Sequence, residues 1–135
     1  VSESRLRTYS VWLTDANGAA YQRVLDGNRI AGFPERLFNV RVTWRQAGFM
    51  ASLAWKYIGE QYTDNYQNEE NKVEAARVAN LTLGYRAPSF WGLRGVDVRC
   101  SVNNLFDALY AQGGDGNQFF VAATRNIFFD MAIEL

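Results

Sequence analysis

Residue types that do chemistry are sparse in this sequence, and their spacing excludes more than it offers. No His occurs among the 135 residues, so a histidine-based metal site and a Ser-His-Asp triad are both impossible. The single cysteine, Cys100, cannot close an internal disulfide. In mid-segment among alternating apolar residues it reads as a small apolar side chain rather than a redox group. Asp64 with Glu69 and Glu70 could suggest calcium, but the regular ligand spacing of a calcium loop is missing, and solvated loop charge is the expected account. Nothing in the chain pairs a nucleophile with a base or cradles a phosphate with glycines. Neither an enzyme nor a bound cofactor is expected. Lys+Arg and Asp+Glu number 14 each, so no global basic field attracts nucleic acid. What remains is a recurring set of charges, Arg41, Arg45, Lys56, Arg86, Asp97, Arg99, Asp130 and Glu134, set among apolar residues at alternating positions.

That alternation has the two-residue period of a β-strand, with one oily face and one wet face. It is clearest in Arg125–Leu135, where Ile127, Phe129, Met131, Ile133 and Leu135 share one register and Asn126, Phe128, Asp130, Ala132 and Glu134 the other. Arg36–Gln46 places Phe38, Val40, Val42 and Trp44 opposite Leu37, Asn39, Arg41, Thr43 and Arg45. After the short turn Gln46-Ala47-Gly48, the segment Phe49–Ile58 sets Phe49, Ala51, Leu53, Trp55 and Tyr57 on its apolar side, which predicts a hairpin. Ala75–Leu83 opens in a manner that suits a helix, yet Ala79, Leu81, Leu83 and Tyr85 oppose Val78, Asn80, Thr82, Gly84 and Arg86, so a strand is expected. Val96, Val98, Cys100 and Val102 give a fifth, and Arg5–Thr14, with Tyr9, Val11 and Leu13 on one side, a sixth. Asp15-Ala16-Asn17-Gly18 could close a hairpin, but a long loop through Pro34 is preferred because it keeps the strand parity.

Connections then alternate in length: long (16–34), short (46–48), long (60–74), moderate (88–95) and long (107–124). Transmembrane barrels show this asymmetry, and tilted strands of about ten residues cross a bilayer. Hydrophobic residues reach 48% while mean hydropathy is −0.25, so apolar residues are dispersed, and no run of about 18 exists for a spanning helix. Phe38, Tyr57 and Phe106 are expected near the outer rim, and Trp44, Phe49, Tyr85 and Trp91 near the inner one. Between them Val40, Val42, Ala51, Leu53, Leu81, Leu83, Val98, Cys100, Val102 and Met131 form an aliphatic band facing lipid. A soluble sandwich or lipocalin-like barrel would instead bury this face as a core, and leaves the loop asymmetry and the rim aromatics unexplained. The sequence starts at Val1 without a start Met, so a processed chain or a piece of a longer one is expected.

Four motifs, in order, resemble the last third of TonB-dependent outer-membrane receptors. They are Gly27-Asn28-Arg29-Ile30-Ala31-Gly32-Phe33-Pro34-Glu35 before a strand, Tyr57-Ile58-Gly59-Glu60-Gln61-Tyr62-Thr63-Asp64-Asn65, Val102-Asn103-Asn104-Leu105-Phe106-Asp107 with Tyr110, and Phe119-Phe120 through Arg125-Asn126 with the closing strand. The resemblance runs from about Tyr9 to Leu135. One departure is the final Leu135, since such barrels usually end in an aromatic that the assembly machinery reads.

The resemblance implies an all-β fold: an antiparallel up-and-down meander of about six transmembrane strands. Residues 1–135 would be the C-terminal portion of a 22-strand barrel in the bacterial outer membrane. A membrane sheet must close so that no edge meets lipid, and six strands fall short of the roughly eight at which such barrels begin, so strands from elsewhere are needed. The partners implied are the bilayer, the remaining barrel strands, a plug domain, TonB through an N-terminal region outside this sequence, and a metal-chelate substrate such as a ferric siderophore. Loop residues Tyr21, Arg29, Tyr62, Tyr66, Phe119 and Phe120 are candidates to hold that substrate by stacking and charge. Arg41, Arg45, Lys56, Arg86 and Arg99 would face the lumen, there meeting acidic groups of plug or substrate, or pairing across strands with Asp97, Asp130 and Glu134. A passive porin-like or structural barrel is the competing class.

Overall fold

A computed structural model describes residues 4–88, 92 and 94–134. In chain order its strands are β1 (Ser10–Thr14), β2 (Ala20–Val24), β3 (Leu37–Gln46), β4 (Phe49–Ile58), β5 (Gln61–Tyr62), β6 (Lys72–Val73), β7 (Ala76–Ala87), β8 (Gly95–Asn103), β9 (Ala111–Asp115), β10 (Gln118–Val121) and β11 (Asn126–Glu134), with one 3₁₀ turn at Glu69–Asn71. The chain divides into two units. One is 38–57, 76–109 and 122–135, and the other is 1–37, 58–75 and 110–121.

The first unit is built on a five-stranded sheet in the order β11-β8-β7-β4-β3. Its strands run 9 to 12 residues, the length needed to cross a bilayer at a tilt. β11 pairs antiparallel with β8 from Asn126↔Asn103 to Glu134↔Gly95, and β8 with β7 from Leu81↔Val102 to Ala87↔Val96. This register lines up Leu81, Val102 and Ile127, then Leu83, Cys100 and Phe129, then Tyr85, Val98 and Met131, all on one face. A slip of one residue would turn every one of them over. Phe38 meets Trp55 edge-on at 5.9 Å and Phe49 meets Tyr85 at 4.4 Å, which carries the same face across β3 and β4. Thr43 and Ser52 share a 2.9 Å hydrogen bond on the opposite face.

Among the described residues, nothing in the unit covers the apolar face. Phe129 is 77% exposed, Met131 68% and Val42 65%, which is the reverse of the buried core a sandwich would make of them. The buried apolar residues of this unit are Ala76, Val78, Ala79 and Ala122, all beside the loop end of the sheet rather than across its middle.

The β3–β4 turn places Ala47 and Gly48 at φ of 49° and 83°, the paired positive values of a tight hairpin whose twist matches its strands. It laps onto β7: Gly48 O accepts from Arg86 N at 2.8 Å, and a Cβ on residue 48 would sit 2.5 Å from Arg86 O. The other connection at this end is 88–94, where Trp91, expected at the inner rim, lies outside the described residues, as does Leu135. β3, β7 and β11 begin, and β4 and β8 end, at the opposite end of the sheet. All the long polar excursions therefore join the sheet at one end.

In the second unit the expected loop at 16–34 is a hairpin, and the expected sixth strand is one arm of it. Among the described residues β1 pairs with β2 alone, from Ser10↔Val24 to Thr14↔Ala20. The reason is local. Asp15 Oδ1 accepts from Asn17 N and Ala19 N at 2.9 and 2.8 Å, and Gly18 takes φ 83°, an Asx-type turn that outweighs any strand-parity argument. Five residues are also about half of what a bilayer crossing requires. The meander stands with five strands in its sheet. The 107–124 segment, expected as loop, contains the β9–β10 hairpin, and 60–74 contains the two-residue ladder of β5 with β6.

Candidate functional site

Two groups of side chains contain the residues expected to act, one in each unit. In the second unit, the loop 60–74 is tied into a rigid knot by its own polar residues. Asp64 Oδ1 accepts from Tyr66 N at 2.8 Å and Asp64 Oδ2 from Asn71 Nδ2 at 2.6 Å. Gln61, 3% exposed, donates through Nε2 to Gln112 O, and Thr63 Oγ1 donates to Asn71 O at 2.9 Å and also meets Gly116 O. Asn65 reaches the other way, accepting from Ala31 N at 2.9 Å and from Asn28 Nδ2 through its backbone oxygen at 2.8 Å. Asp64 is thus an organiser of turns. No group of three or more potential metal ligands occurs among the described residues.

On that scaffold the chain brings some of the expected loop residues together. The Arg29 guanidinium lies 6.0 Å from the Tyr62 ring centroid and 3.4 Å from Glu35. Tyr62 donates its hydroxyl to Glu69 Oε1 at 2.6 Å, and Lys72 sits 3.0 Å from the same carboxylate. The hydrogen bond from Tyr62, helped by that from Lys72, holds the Glu69 carboxyl below its ordinary range. The same contacts to Glu69 push the Tyr62 hydroxyl and the Lys72 ammonium up. Tyr66 stacks instead under Arg23, at 5.0 Å. Arg23 was missed in the sequence because its role depends on the β1–β2 hairpin, where Tyr21 and Arg23 share a face. Tyr21, Phe119 and Phe120 are exposed and join no aromatic pair among the described residues. Phe119 and Phe120 stand opposite Gly114 and Gly113, and Thr63 Cγ2 packs where a Cβ on residue 114 would sit.

The first unit supplies the polar face of the sheet. Arg86 pairs with Glu134 at 3.6 Å and Arg99 with Asp97 at 3.8 Å, so these two expected lumen cations engage neighbours of the same face. Such half-exposed pairs contribute at most about 1 kcal/mol each. Arg41, Arg45 and Lys56 have no carboxylate partner among the described residues. The face is hollow: about 360 Å³ opens among Arg86, Asp97, Arg99, Asp130 and Glu134, and about 300 Å³ among Asn39, Arg41, Ala54, Lys56 and Asn80. Its charge is graded, from three unpaired cations on β3 and β4 to two carboxylates on β11.

Asn104 is the residue that sequence reasoning undervalued. It is 4% exposed at φ 51° and closes the corner after β8. Its side chain donates to Ala108 O and Ala123 O and accepts from Ala108 N, and its own N–H donates to Asn80 Oδ1. Asp107 then accepts from Arg125 N at 2.7 Å. The signal was present in the quoted Asn-Asn-Leu-Phe-Asp run, as two Asx residues three apart that suit left-handed turns.

A family model described as "TonB dependent receptor-like, beta-barrel" matches residues 4–105. No curated protein matches the chain. Among solved structures, the crystal structure of the ferric-catecholate import receptor Fiu from K12 E. coli, in its closed form, superposes with a TM-score of 0.62 at 22% identity, over 83% of this chain and 17% of that one. The chain therefore spans about a sixth of the length of that receptor, and the likeness is one of fold.

Proposed function

This chain belongs to the TonB-dependent receptor β-barrel family, and from that premise we propose that it is the C-terminal wall segment of an outer-membrane transporter importing a bulky, scarce nutrient, a ferric siderophore foremost. The observation that supports this best is the sorting of the five-stranded sheet. Every apolar row lies uncovered on one face, every lumen charge lies on the other, and all long loops leave at one end. The two free edges, β3 and β11, cannot stand in hydrocarbon, so in this reading further strands flank both.

In the proposed mechanism the loops make first contact with the substrate. Arg29 over Tyr62 and Arg23 over Tyr66 offer cationic and aromatic surface to a planar, anionic chelate. The substrate is too large to diffuse through a filled barrel, so its passage requires the plug to move, with TonB supplying the energy through a region outside this sequence. In this reading Arg41, Arg45 and Lys56 meet acidic groups of the plug or the passing substrate. The competing reading, a passive pore, predicts no saturable ligand. The test is equilibrium binding of a ferric-catecholate chelate to the receptor carrying Arg29→Ala and Tyr62→Ala. Loss of an Arg-aromatic contact of about 1–2 kcal/mol weakens affinity about five- to thirtyfold. Unchanged affinity for both variants removes these loop residues from the proposal.

A further inference from the structure

In the register of the apolar face the charged residues among those described are all arginines at the rims: Arg36, Arg77 and Arg125 towards the loop end, and Arg94, two positions before Val96, at the other. Arg77 stands two positions before Ala79 on β7, and Arg125 two positions before Ile127 on β11. Since Leu81, Val102 and Ile127 are aligned across the three strands, the two arginines lie two ladder spacings apart and offset by two residues. Their Cα atoms are then about 12 Å apart. Both are exposed, and neither guanidinium has a carboxylate partner among the described residues. The corner between them holds Phe106 and Leu109, 77% and 82% exposed. Its one carboxylate, Asp107, already accepts from Arg125 N. At the other end of the same face Trp44, Phe49, Tyr85, Ala87, Val96 and Ile133 are uncharged, and Arg94 stands alone as the cation there among the described residues.

Unpaired guanidiniums at the edge of an apolar band need an anion that approaches from the membrane side. A phosphate suits them best, because its oxygens accept the two parallel bonds of the guanidinium fork. Exposed Phe and Leu beside them suit the boundary of headgroup and acyl chain. We propose that the loop-end rim of this face is a docking site for the phosphate headgroup of an anionic lipid, gripped by Arg77 and Arg125 with Phe106 and Leu109 set at the acyl boundary. The inference rests on the membrane reading above and adds a specific lipid to it.

The test uses the receptor containing this chain, inserted into nanodiscs of phosphatidylcholine with a minor share of phosphatidic acid. Native mass spectrometry reads which lipid stays bound after gentle release, and protease protection reads insertion separately. Wild type retains phosphatidic acid in preference to phosphatidylcholine. Arg77→Gln with Arg125→Gln lowers that retention about twenty-five-fold, at about fivefold per basic residue near an anionic surface, with insertion unchanged. Equal retention of the two lipids by inserted wild type overturns the proposal, as does undiminished retention by the double variant. Displacement of the lipid by inorganic phosphate alone assigns the arginines to a soluble anion and overturns it too. Failure of both proteins to insert defeats the membrane reading itself, and the protease arm separates that outcome from the others.

Discussion

Replacing Leu83 by Arg should destabilise the membrane-inserted sheet, while replacing its chain neighbour Thr82 by Arg should not. Leu83 shares a row with Cys100 and Phe129 on the apolar face. Four such rows, at Leu81, Leu83, Tyr85 and Ala87, are spaced about 6.6 Å along the strand, about 20 Å in all. At a tilt of about 40° they cover roughly 15 Å of depth, which sets Leu83 within the middle of an apolar band about 25 Å tall. An arginine there costs about 2–4 kcal/mol. Thr82 faces the other way, against Ser101 at 3.4 Å, and Arg in its place meets water, within about 0.5 kcal/mol of neutral. Val96 lies in the last row, beside Ala87 and Ile133, and Val96→Arg should cost only about 0–1 kcal/mol. Reversible guanidinium unfolding of the receptor from phosphatidylcholine vesicles, followed by Trp fluorescence, measures all three. Equal stability of Leu83→Arg and Thr82→Arg refutes contact with hydrocarbon. Equal, large losses at Leu83 and Val96 refute it differently, because a protein core has no depth dependence.

Three other outcomes follow from the same geometry. Asn104→Ala leaves the corner after β8 without its side-chain bonds to residues 108 and 123 and should cost about 2–3 kcal/mol in the same unfolding assay; a loss under about 0.5 kcal/mol contradicts the hub role. Glu69 titrates below its ordinary range because Tyr62 and Lys72 bond its ionised form, so its support of the loop is present above the ordinary Glu value and fades as pH falls through the lowered one. Tyr62→Phe should move the Glu69 carboxyl midpoint, read by carbon-13 NMR, up towards normal, and an unmoved midpoint would deny that bond. At alkaline pH the signs reverse: the Tyr62 and Lys72 contributions hold below their ordinary values, so loop protection in hydrogen exchange should fall only as pH rises through the raised ones.

Much of the sheet was legible in the sequence, because a two-residue period fixes which face each side chain takes once a strand is granted. β3, β4, β8 and β11 appeared at nearly their observed bounds, and β7 was separated from a helix by the alternation of Ala79, Leu81, Leu83 and Tyr85 with Val78, Asn80, Thr82, Gly84 and Arg86. The segment Arg5–Thr14 was misassigned because a moderate alternation, with Tyr9, Val11 and Leu13 on one side, was read as that of a spanning strand. What differs is length and the Asp15–Gly18 turn, a local signal that was set aside for a global count. The loop site was legible only as residue types. Arg29 with Tyr62 and Arg23 with Tyr66 are separated by 33 and 43 positions in sequence, and only the turns built by Asp64 and Asn65 bring them together. Pairing on the polar face was partly legible too. Arg86 with Glu134 was among the cross-strand pairings expected, whereas Arg99 engages Asp97 along its own strand although Asp130 stands directly opposite.

What touches the oily side of the sheet distinguishes a membrane wall from a protein core, and Cys100 lies at the middle of that side. A nitroxide attached there, in the vesicle-inserted receptor, should collide often with dissolved oxygen and rarely with a water-soluble nickel chelate. The same label at position 101, in Cys100→Ser with Ser101→Cys, should lose that preference because it faces the lumen. Frequent nickel collisions at Cys100, or few collisions with either reagent, would contradict a lipid-facing wall.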